Sequence, residues 1–167
     1  MGNDTSKILR DSEKDLLDFG LDYLNKSAVV KPFAKEKDAI VKYNVQDVII
    51  DKETGEHLHT LHYWNDASSN ASDASKSISQ VPILLIHGYS QSACQFYLTS
   101  PALASSYKDG DVYAIDQFGC GLSTRKKYEG GYDDIDMEKT EAIYIESIEK
   151  WRIAMKIDQL ILASNSM

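Results

Sequence analysis

The last serine of the chain stands where the nucleophile of an acyl transfer is usually placed. Ser166 lies in the run Ala163-Ser164-Asn165-Ser166-Met167, directly after the apolar segment Gln159 to Ala163, which is typical of a buried strand. A nucleophile elbow is a sharp strand-to-helix turn whose usual sequence is Gly-x-Ser-x-Gly. Here Ser164, a small residue, occupies the first glycine position. On its own the pentapeptide is weak evidence, because serines are common after strands, but it makes Ser166 the candidate nucleophile.

A second polar segment, His87-Gly88-Tyr89-Ser90, directly follows the apolar run Val81 to Ile86. Acyl-transfer enzymes need backbone N–H donors at the place where the tetrahedral oxyanion forms. A glycine after the strand lets the chain turn sharply enough to aim such N–H groups inward. His87 has two interpretations, as a catalytic base or as a residue that braces this loop by hydrogen bonds. We expect the bracing role.

A third loop follows the apolar run Asp111 to Asp116. It begins with Asp116, ends with Ser123 and contains Gly119 and Gly121. Two glycines between an aspartate and a serine predict a tight loop held by its own hydrogen bonds. A phosphate-binding loop would need Gly-Lys-Ser/Thr, and a dinucleotide fingerprint would need a third glycine at the start of a helix. Neither is present, so no nucleotide cofactor is indicated.

The elements between these loops alternate between strand and helix. Val41 to Ile50 and His57 to Trp64 are rich in β-forming residues and flank a turn with Gly55, which predicts a hairpin. Ala93 to Tyr107, with Pro101 starting a second segment, and Glu138 to Lys156 are expected to be helical. Apolar residues of the last helix recur at helical spacing: Tyr144, Ile148, Trp151 and Met155. This order predicts an α/β fold with right-handed parallel crossovers after an antiparallel hairpin.

The chain divides into an N-terminal helical segment, 1–40, and an α/β part, 41–167, with a Ser- and Asn-rich flexible loop at 65–80. The sequence from Ser12 to Asn25 predicts a helix that is capped by Ser12 and has leucines along one face. We expect this helix to pack on the domain, and the alternative is an amphipathic helix that contacts lipid.

The extreme N-terminus fits an N-myristoylation pattern, with Gly2 exposed after removal of Met1 and Ser6 four residues further on. The alternative is a chance match to a short pattern. A single myristoyl chain binds a bilayer only weakly, and the surrounding segment is not basic. We therefore expect a cytoplasmic protein whose membrane association, through the myristate, is weak and reversible.

Composition excludes several classes of function. The net charge of −8 and pI near 4.9 argue against a nucleic-acid partner, which needs a basic surface. Two cysteines are too few for a disulfide framework or a zinc cluster. His57, His59 and His62 invite a metal interpretation, but no ligand pattern is complete. We expect these three to be solvent-facing strand histidines and no metal to be bound.

Together the three loops, in this order and spacing, resemble the α/β-hydrolase superfamily over Val41 to Met167. The stretch Glu149-Lys150-Trp151-Arg152, followed by Ile161 to Ser166, is similar to the lipid-acting branch of that superfamily. That branch includes the cardiolipin-specific phospholipase, the N-acylphosphatidylethanolamine lipase and the coactivator of adipose triglyceride lipase. The fold that the resemblance implies is the N-terminal half of an α/β-hydrolase, a mostly parallel sheet preceded by an antiparallel hairpin.

The resemblance also implies roles for individual residues. Ser166 matches the nucleophile, and the backbone N–H groups of Tyr89 and Met167 match the two oxyanion donors. Supporting roles fall on residues of the two earlier loops: His87, Gly88, Asp116, Gly119, Gly121 and Ser123. In the family the catalytic acid and histidine follow the serine in chain order, whereas here only Met167 follows it.

The function expected from the resemblance is that of a serine hydrolase or acyltransferase acting on lipid-like or small esters without a cofactor. The chain would be truncated after the elbow and would lack the catalytic acid and histidine. Some members of the branch carry a His-x-x-x-x-Asp acyltransferase motif, and no histidine here has an aspartate five residues on. The alternative is a non-catalytic, membrane-tethered binding or scaffold protein of the same ancestry.

Overall fold

The computed structural model describes residues 2–26, 40–66, 81–107, 110–125 and 136–166. Each helix or strand named below lies in one of these ranges. The elements in chain order are α1 Gly2–Lys26, β1 Val41–Ile49, β2 His57–Asn65, β3 Ile83–Ile86, a 3-10 turn Ala93–Phe96, α2 Thr99–Ser106, β4 Val112–Ile115, α3 Met137–Ala154 and β5 Ile161–Ser164.

The five strands form one mixed sheet in the order β1-β2-β4-β3-β5. β1 and β2 pair antiparallel as a hairpin, and β2 continues antiparallel onto β4. β3 lies between β4 and β5 and is parallel to both. The predicted α/β fold, an antiparallel hairpin followed by parallel strands, is confirmed. Because β3, β4 and β5 run in one direction, the three loops that follow them lie at the same edge of the sheet.

Apolar side chains cover both faces of this sheet. On one face Leu61 and Leu85 pack with Leu17 of α1 and with Phe96 of the 3-10 turn. On the other face the apolar stripe of α3 packs against β2, β3 and β4, with Trp151 fully buried at its centre. The stripe predicted from the spacing of Tyr144, Ile148, Trp151 and Met155 is therefore confirmed.

The N-terminal helix is longer than the sequence predicted. It begins at Gly2 rather than after Ser12, so Ser12 lies inside the helix and does not cap it. No glycine or proline separates residues 3 and 12, and Leu9 and Arg10 are strong helix formers, so nothing ends the helix there. α1 packs on the domain through Leu17, which belongs to the core cluster, and Leu24 is also buried. It lies so close that a Cβ at Gly20 would be 2.2 Å from the Tyr97 carbonyl oxygen.

Two other boundaries differ from expectation. The segment 93–107 is a short 3-10 turn followed by α2, which starts at Thr99, two residues before Pro101. Asn65 belongs to β2, not to the predicted loop, whose residues 67–80 lie outside the described ranges. Among the helices of the described ranges, none combines the length and the apolar character needed to cross a bilayer.

Candidate active site

Ser166 is presented on a strained turn at the end of β5. Its φ is +58°, in the left-handed region that non-glycine residues seldom occupy. The turn begins within the sheet, because the Asn165 N–H donates to the Ile86 carbonyl at 3.0 Å. The Ser166 side chain is exposed. A strained serine at a strand end is the backbone geometry of a nucleophile elbow, with Ser164 in place of the first elbow glycine.

The loop after β3 lies directly against this turn. A Cβ built on Gly88 would be 2.7 Å from both the Asn165 and Ser166 carbonyl oxygens, and 2.9 Å from the Ser166 Cβ. Side-chain carbons essentially never lie that close to backbone oxygens, so glycine is the residue that permits this approach. The structure thus brings together two of the predicted segments, the one that begins at His87 and the one that contains Ser166.

His87 is completely buried and holds the Gly88 carbonyl. Its Nε2 accepts a hydrogen bond from the Gln117 N–H at 3.0 Å, so the ring proton is assigned to Nδ1, which donates to the Gly88 oxygen at 2.8 Å. The Gln117 side chain also donates to the His87 carbonyl. Gln117 was not singled out in the sequence, and its place directly after Asp116 was the only available signal.

These bonds set the direction of one backbone donor. The peptide bond between Gly88 and Tyr89 is trans, so its N–H points away from the carbonyl that His87 holds. Within the described residues the Tyr89 N–H has no hydrogen-bond partner, and the Tyr89 side chain is 93% exposed. The second predicted oxyanion donor, Met167, lies outside the described residues.

Asp116 organises the third loop from within. Its buried carboxylate accepts the Ala93 N–H through Oδ1 and the Leu122 N–H through Oδ2, each at 2.7 Å. Its carbonyl accepts the Ser123 hydroxyl at 2.6 Å. The bond from the Ala93 N–H joins the loop after β4 to the 3-10 turn that begins at Ala93. Asp116 therefore fixes one loop of the site against another.

The two glycines of this loop adopt positive φ, +87° at Gly119 and +50° at Gly121. At Gly121 a Cβ would also be 1.8 Å from Oδ2 of Asp116. The Ser123 hydroxyl, besides its bond to the Asp116 carbonyl, accepts the His59 N–H at 2.8 Å and so joins the loop to β2. The residues predicted to support the two earlier loops thus lie in segments that hydrogen bonds connect to each other.

None of the four histidines hydrogen-bonds to Ser166. Both ring nitrogens of His87 are occupied, as described above. His57 contacts the Leu122 carbonyl at 3.1 Å, and His62 contacts the Asp111 carboxylate at 2.8 Å. The expectation that the strand histidines face solvent is wrong for His59, which is completely buried, and His57 and His62 are partly buried.

The burial of His59 has a physical cause that the strand pattern did not reveal. Its ring lies between the carboxylates of Glu13 and Asp47, which come from α1 and β1. A polar ring can be buried when such partners satisfy it. In the part of the chain that the structure describes, no three His, Cys, Asp or Glu side chains are arranged to hold a metal ion.

The Glu-x-Trp-Arg stretch of α3 secures the approach to β5. The indole N–H of Trp151 donates to the Thr60 hydroxyl at 2.9 Å in the core. Arg152 pairs with Glu149, three residues earlier, and donates to the Ile157 carbonyl just beyond the helix. These contacts fix the segment that leads into β5, the strand before Ser166.

A cleft of about 230 Å³ opens at the opposite edge of the sheet, before β4 and β5 begin. It is lined mainly by polar and charged residues: Pro82, Asp111, Tyr113, Lys156, Ile157, Asp158 and Gln159. Because β3, β4 and β5 are parallel, this cleft lies at the end of the strands away from Ser166. It is not part of the candidate active site.

Comparison with known proteins agrees with this geometry. The chain is 34% identical over 113 residues to the 1-acylglycerol-3-phosphate O-acyltransferase ABHD5 of Mus musculus. The matched stretch covers 68% of this chain and 27% of that protein. The chain is 37% identical over 84 residues to a 1-acylglycerol-3-phosphate O-acyltransferase of Arabidopsis thaliana, covering 50% of this chain and 18% of that protein. No family model matches the chain.

Among solved structures, the 2-hydroxy-6-oxo-6-phenylhexa-2,4-dienoate hydrolase of Rhodococcus sp. strain RHA1 matches with a TM-score of 0.55 and 18% identity, over 77% of this chain and 39% of that one. This match shows the fold alone. The chain spans about a quarter of the length of the curated ABHD5 relatives it matches. The sequence and fold comparisons, together with the three strand-end loops, identify the chain as an α/β-hydrolase-fold protein that is a distant homologue of the ABHD5-type 1-acylglycerol-3-phosphate O-acyltransferases.

Proposed function

We propose that Ser166 is the nucleophile of a serine hydrolase or acyltransferase that acts on lipid-like esters. The observation that carries the proposal is the left-handed φ of +58° at Ser166, on a turn against which the backbone of Gly88 packs. Strain of this kind persists only where the surrounding structure enforces it, and it is concentrated at functional sites. A strained turn that exposes a hydroxyl is what attack on an ester carbonyl requires.

The oxyanion formed by that attack would be stabilised by backbone donors. The Tyr89 N–H is the described candidate, since His87 holds the other side of its peptide group. The proposal assigns the second donor to the N–H of Met167. One such donor is worth about 10²–10³ in turnover in a serine protease. His87 is then a positioning residue rather than the base, because both of its ring nitrogens are occupied.

A serine hydroxyl also needs a general base to become nucleophilic at neutral pH. Since no histidine in the described ranges bonds to Ser166, we propose that the base and its supporting acid come from outside these 167 residues. Without a base the turnover of a subtilisin-type serine enzyme falls by about 10⁶, and the remaining rate comes from binding and the oxyanion hole. The chain by itself would then react only slowly.

The proposed substrates are lipid acyl esters. The support is sequence similarity to proteins named as 1-acylglycerol-3-phosphate O-acyltransferases, which transfer an acyl group to a lysophospholipid. The proposal covers hydrolysis and acyl transfer alike, since both take an acyl group from a donor and differ in whether water or an alcohol accepts it.

The second candidate function is a non-catalytic binding or scaffold protein. The observation that favours it is that Ser166 has no histidine partner within the described residues. In this case myristate on Gly2 would supply a weak tether, with a binding constant of about 10⁴ per molar.

Fluorophosphonate labelling with site mapping by mass spectrometry separates the two functions. We expect slow labelling at Ser166 that is lost in Ser166→Ala and retained in Ser164→Ala, a matched serine two residues earlier in β5. Labelling spread over several serines, or labelling of Ser166 no faster than that of Ser164 in a chain with native circular dichroism, would overturn the catalytic proposal and support the scaffold.

A further inference from the structure

A buried ionic cluster joins α1 to the sheet, and the backbone of its His59 is bonded to Asp116 and Ser123 of the third loop. His59 of β2 is completely buried, and both of its ring nitrogens contact carboxylates. Nε2 lies 2.9 Å from Oε2 of Glu13 in α1, and Nδ1 lies 2.6 Å from Oδ1 of Asp47 in β1. One side chain therefore binds two other elements of the fold at once.

This geometry depends on the charge of the imidazole ring. A neutral imidazole carries a single N–H, so it can donate to one carboxylate and must turn a lone pair toward the other. Ionised carboxylates only accept hydrogen bonds. Two carboxylate partners at hydrogen-bond distance are thus satisfied together by the imidazolium form, which has two N–H donors. The docked position of α1 favours a bound proton on His59.

The groups around His59 reinforce this preference. Burial alone would lower the pKa of His59, but hydrogen bonds to Glu13 and Asp47 outweigh it, and the pKa is raised above its ordinary value. Burial likewise opposes the charge of Asp47, yet its bonds to His59 and Arg10 hold its pKa below the usual range. The titratable groups facing the cluster are Arg10 and Glu13 of α1, Asp47 and Tyr43 of β1, Tyr63 of β2, Cys94 of the 3-10 turn and Asp116.

We propose that α1 is a proton-gated latch, docked while His59 carries two ring protons and loosened when it loses one. In the docked state the positive charges of Arg10 and protonated His59 balance the negative charges of Asp47 and Glu13. After deprotonation two carboxylates compete for one N–H, and Glu13 is left buried without its charged donor. Loosening would uncover Leu17, which packs in the core cluster, and with it the buried side chain of Leu24.

The direction of the pH dependence follows from the raised pKa of His59. When α1 undocks, His59 loses Glu13 but still faces Asp47 of β1, so its pKa is lower than in the docked state. The stabilisation is therefore complete below the pKa of the undocked state and is lost as the pH rises through the higher pKa of the docked state. The latch loosens on the alkaline side.

Hydrogen exchange of the 167-residue chain between pH 6 and pH 9 tests the latch. After correction for intrinsic exchange, we expect protection of the Leu17 and Leu24 amides to fall by about tenfold or more, the worth of one hydrogen bond to a charged group. Protection of Leu61 and Ala114, paired in the sheet, should stay constant.

Two variants make the test specific. In Glu13→Gln the new amide can donate to the unprotonated Nε2 while Nδ1–H donates to Asp47, so α1 should remain protected at pH 9. Asp15→Asn removes an exposed carboxylate from the same helix and should leave the pH dependence as in the wild type. Constant protection of α1 in the wild type, an equal fall in Glu13→Gln, or a parallel fall in the sheet would each overturn the proposal.

Discussion

Replacing Gly88 with alanine should separate the two loops that form the candidate active site. The added Cβ would lie 2.7 Å from the carbonyl oxygens of Asn165 and Ser166. These are backbone atoms and cannot rotate away as a side chain would. To reach an ordinary contact of 3.4 Å, the turn that carries Ser166 must retreat by about 0.7 Å.

That displacement has two measurable consequences. Overpacking of this size costs about 1–3 kcal/mol, which corresponds to a fall in Tm of about 2–12 °C for a domain of this length. Catalytic groups must be held within about 0.5 Å of the productive geometry, and a misplacement near 1 Å can cost about 10² in rate. We therefore expect the rate of fluorophosphonate labelling at Ser166 to fall by one to two orders of magnitude.

The assay compares Gly88→Ala with Gly55→Ala. Gly55 lies in the β1–β2 turn at φ +73°, with open space around the position of a Cβ, so its replacement adds backbone strain without a clash. The control should lose some stability and keep the wild-type labelling rate. If Gly88→Ala labels as fast as the wild type and melts at the same temperature, the two loops do not pack as described.

Two further substitutions test the supports of the site. In Asp116→Asn one of the two N–H groups that bond to the carboxylate, on Ala93 and Leu122, loses its acceptor. Chemical denaturation should therefore show a loss of about 1–3 kcal/mol in the free energy of unfolding. An unchanged denaturation midpoint would contradict this role of Asp116. Trp151→Phe removes the hydrogen bond to Thr60 and leaves a gap between α3 and the sheet. The same measurement should show a loss of about 1–3 kcal/mol in the free energy of unfolding. A change below about 0.5 kcal/mol, which is the range of a surface substitution, would argue against a packed indole.

The features that local sequence could predict are those fixed by neighbours in the chain. Glycine two residues after the β3 strand and the Asp116 to Ser123 spacing both reflect backbone geometry over a few residues, and the structure has tight loops at both places. The helical spacing of α3 likewise predicted which face is buried, because period alone determines which residues share a face.

The features that local sequence could not predict depend on contacts between distant elements. Glu13 and His59 are 46 residues apart, and neither has a neighbour in sequence that marks it as buried. Histidine is intermediate in burial among the residue types, and the carboxylates arriving from α1 and β1 make its burial favourable here. The start of α1 was misplaced because Ser12 is a good cap residue that the continuing helix did not need.

The central claim is that the loop at Gly88 and the turn at Ser166 form one acyl-transfer site. A crystal structure of the fluorophosphonate-treated chain tests it most directly. We expect the phosphonyl group on the Ser166 Oγ, with one phosphonyl oxygen about 2.7–3.1 Å from the Tyr89 backbone nitrogen. A phosphonyl group bound to another serine, or one on Ser166 whose oxygens face solvent while the Tyr89 N–H points elsewhere, would contradict the account.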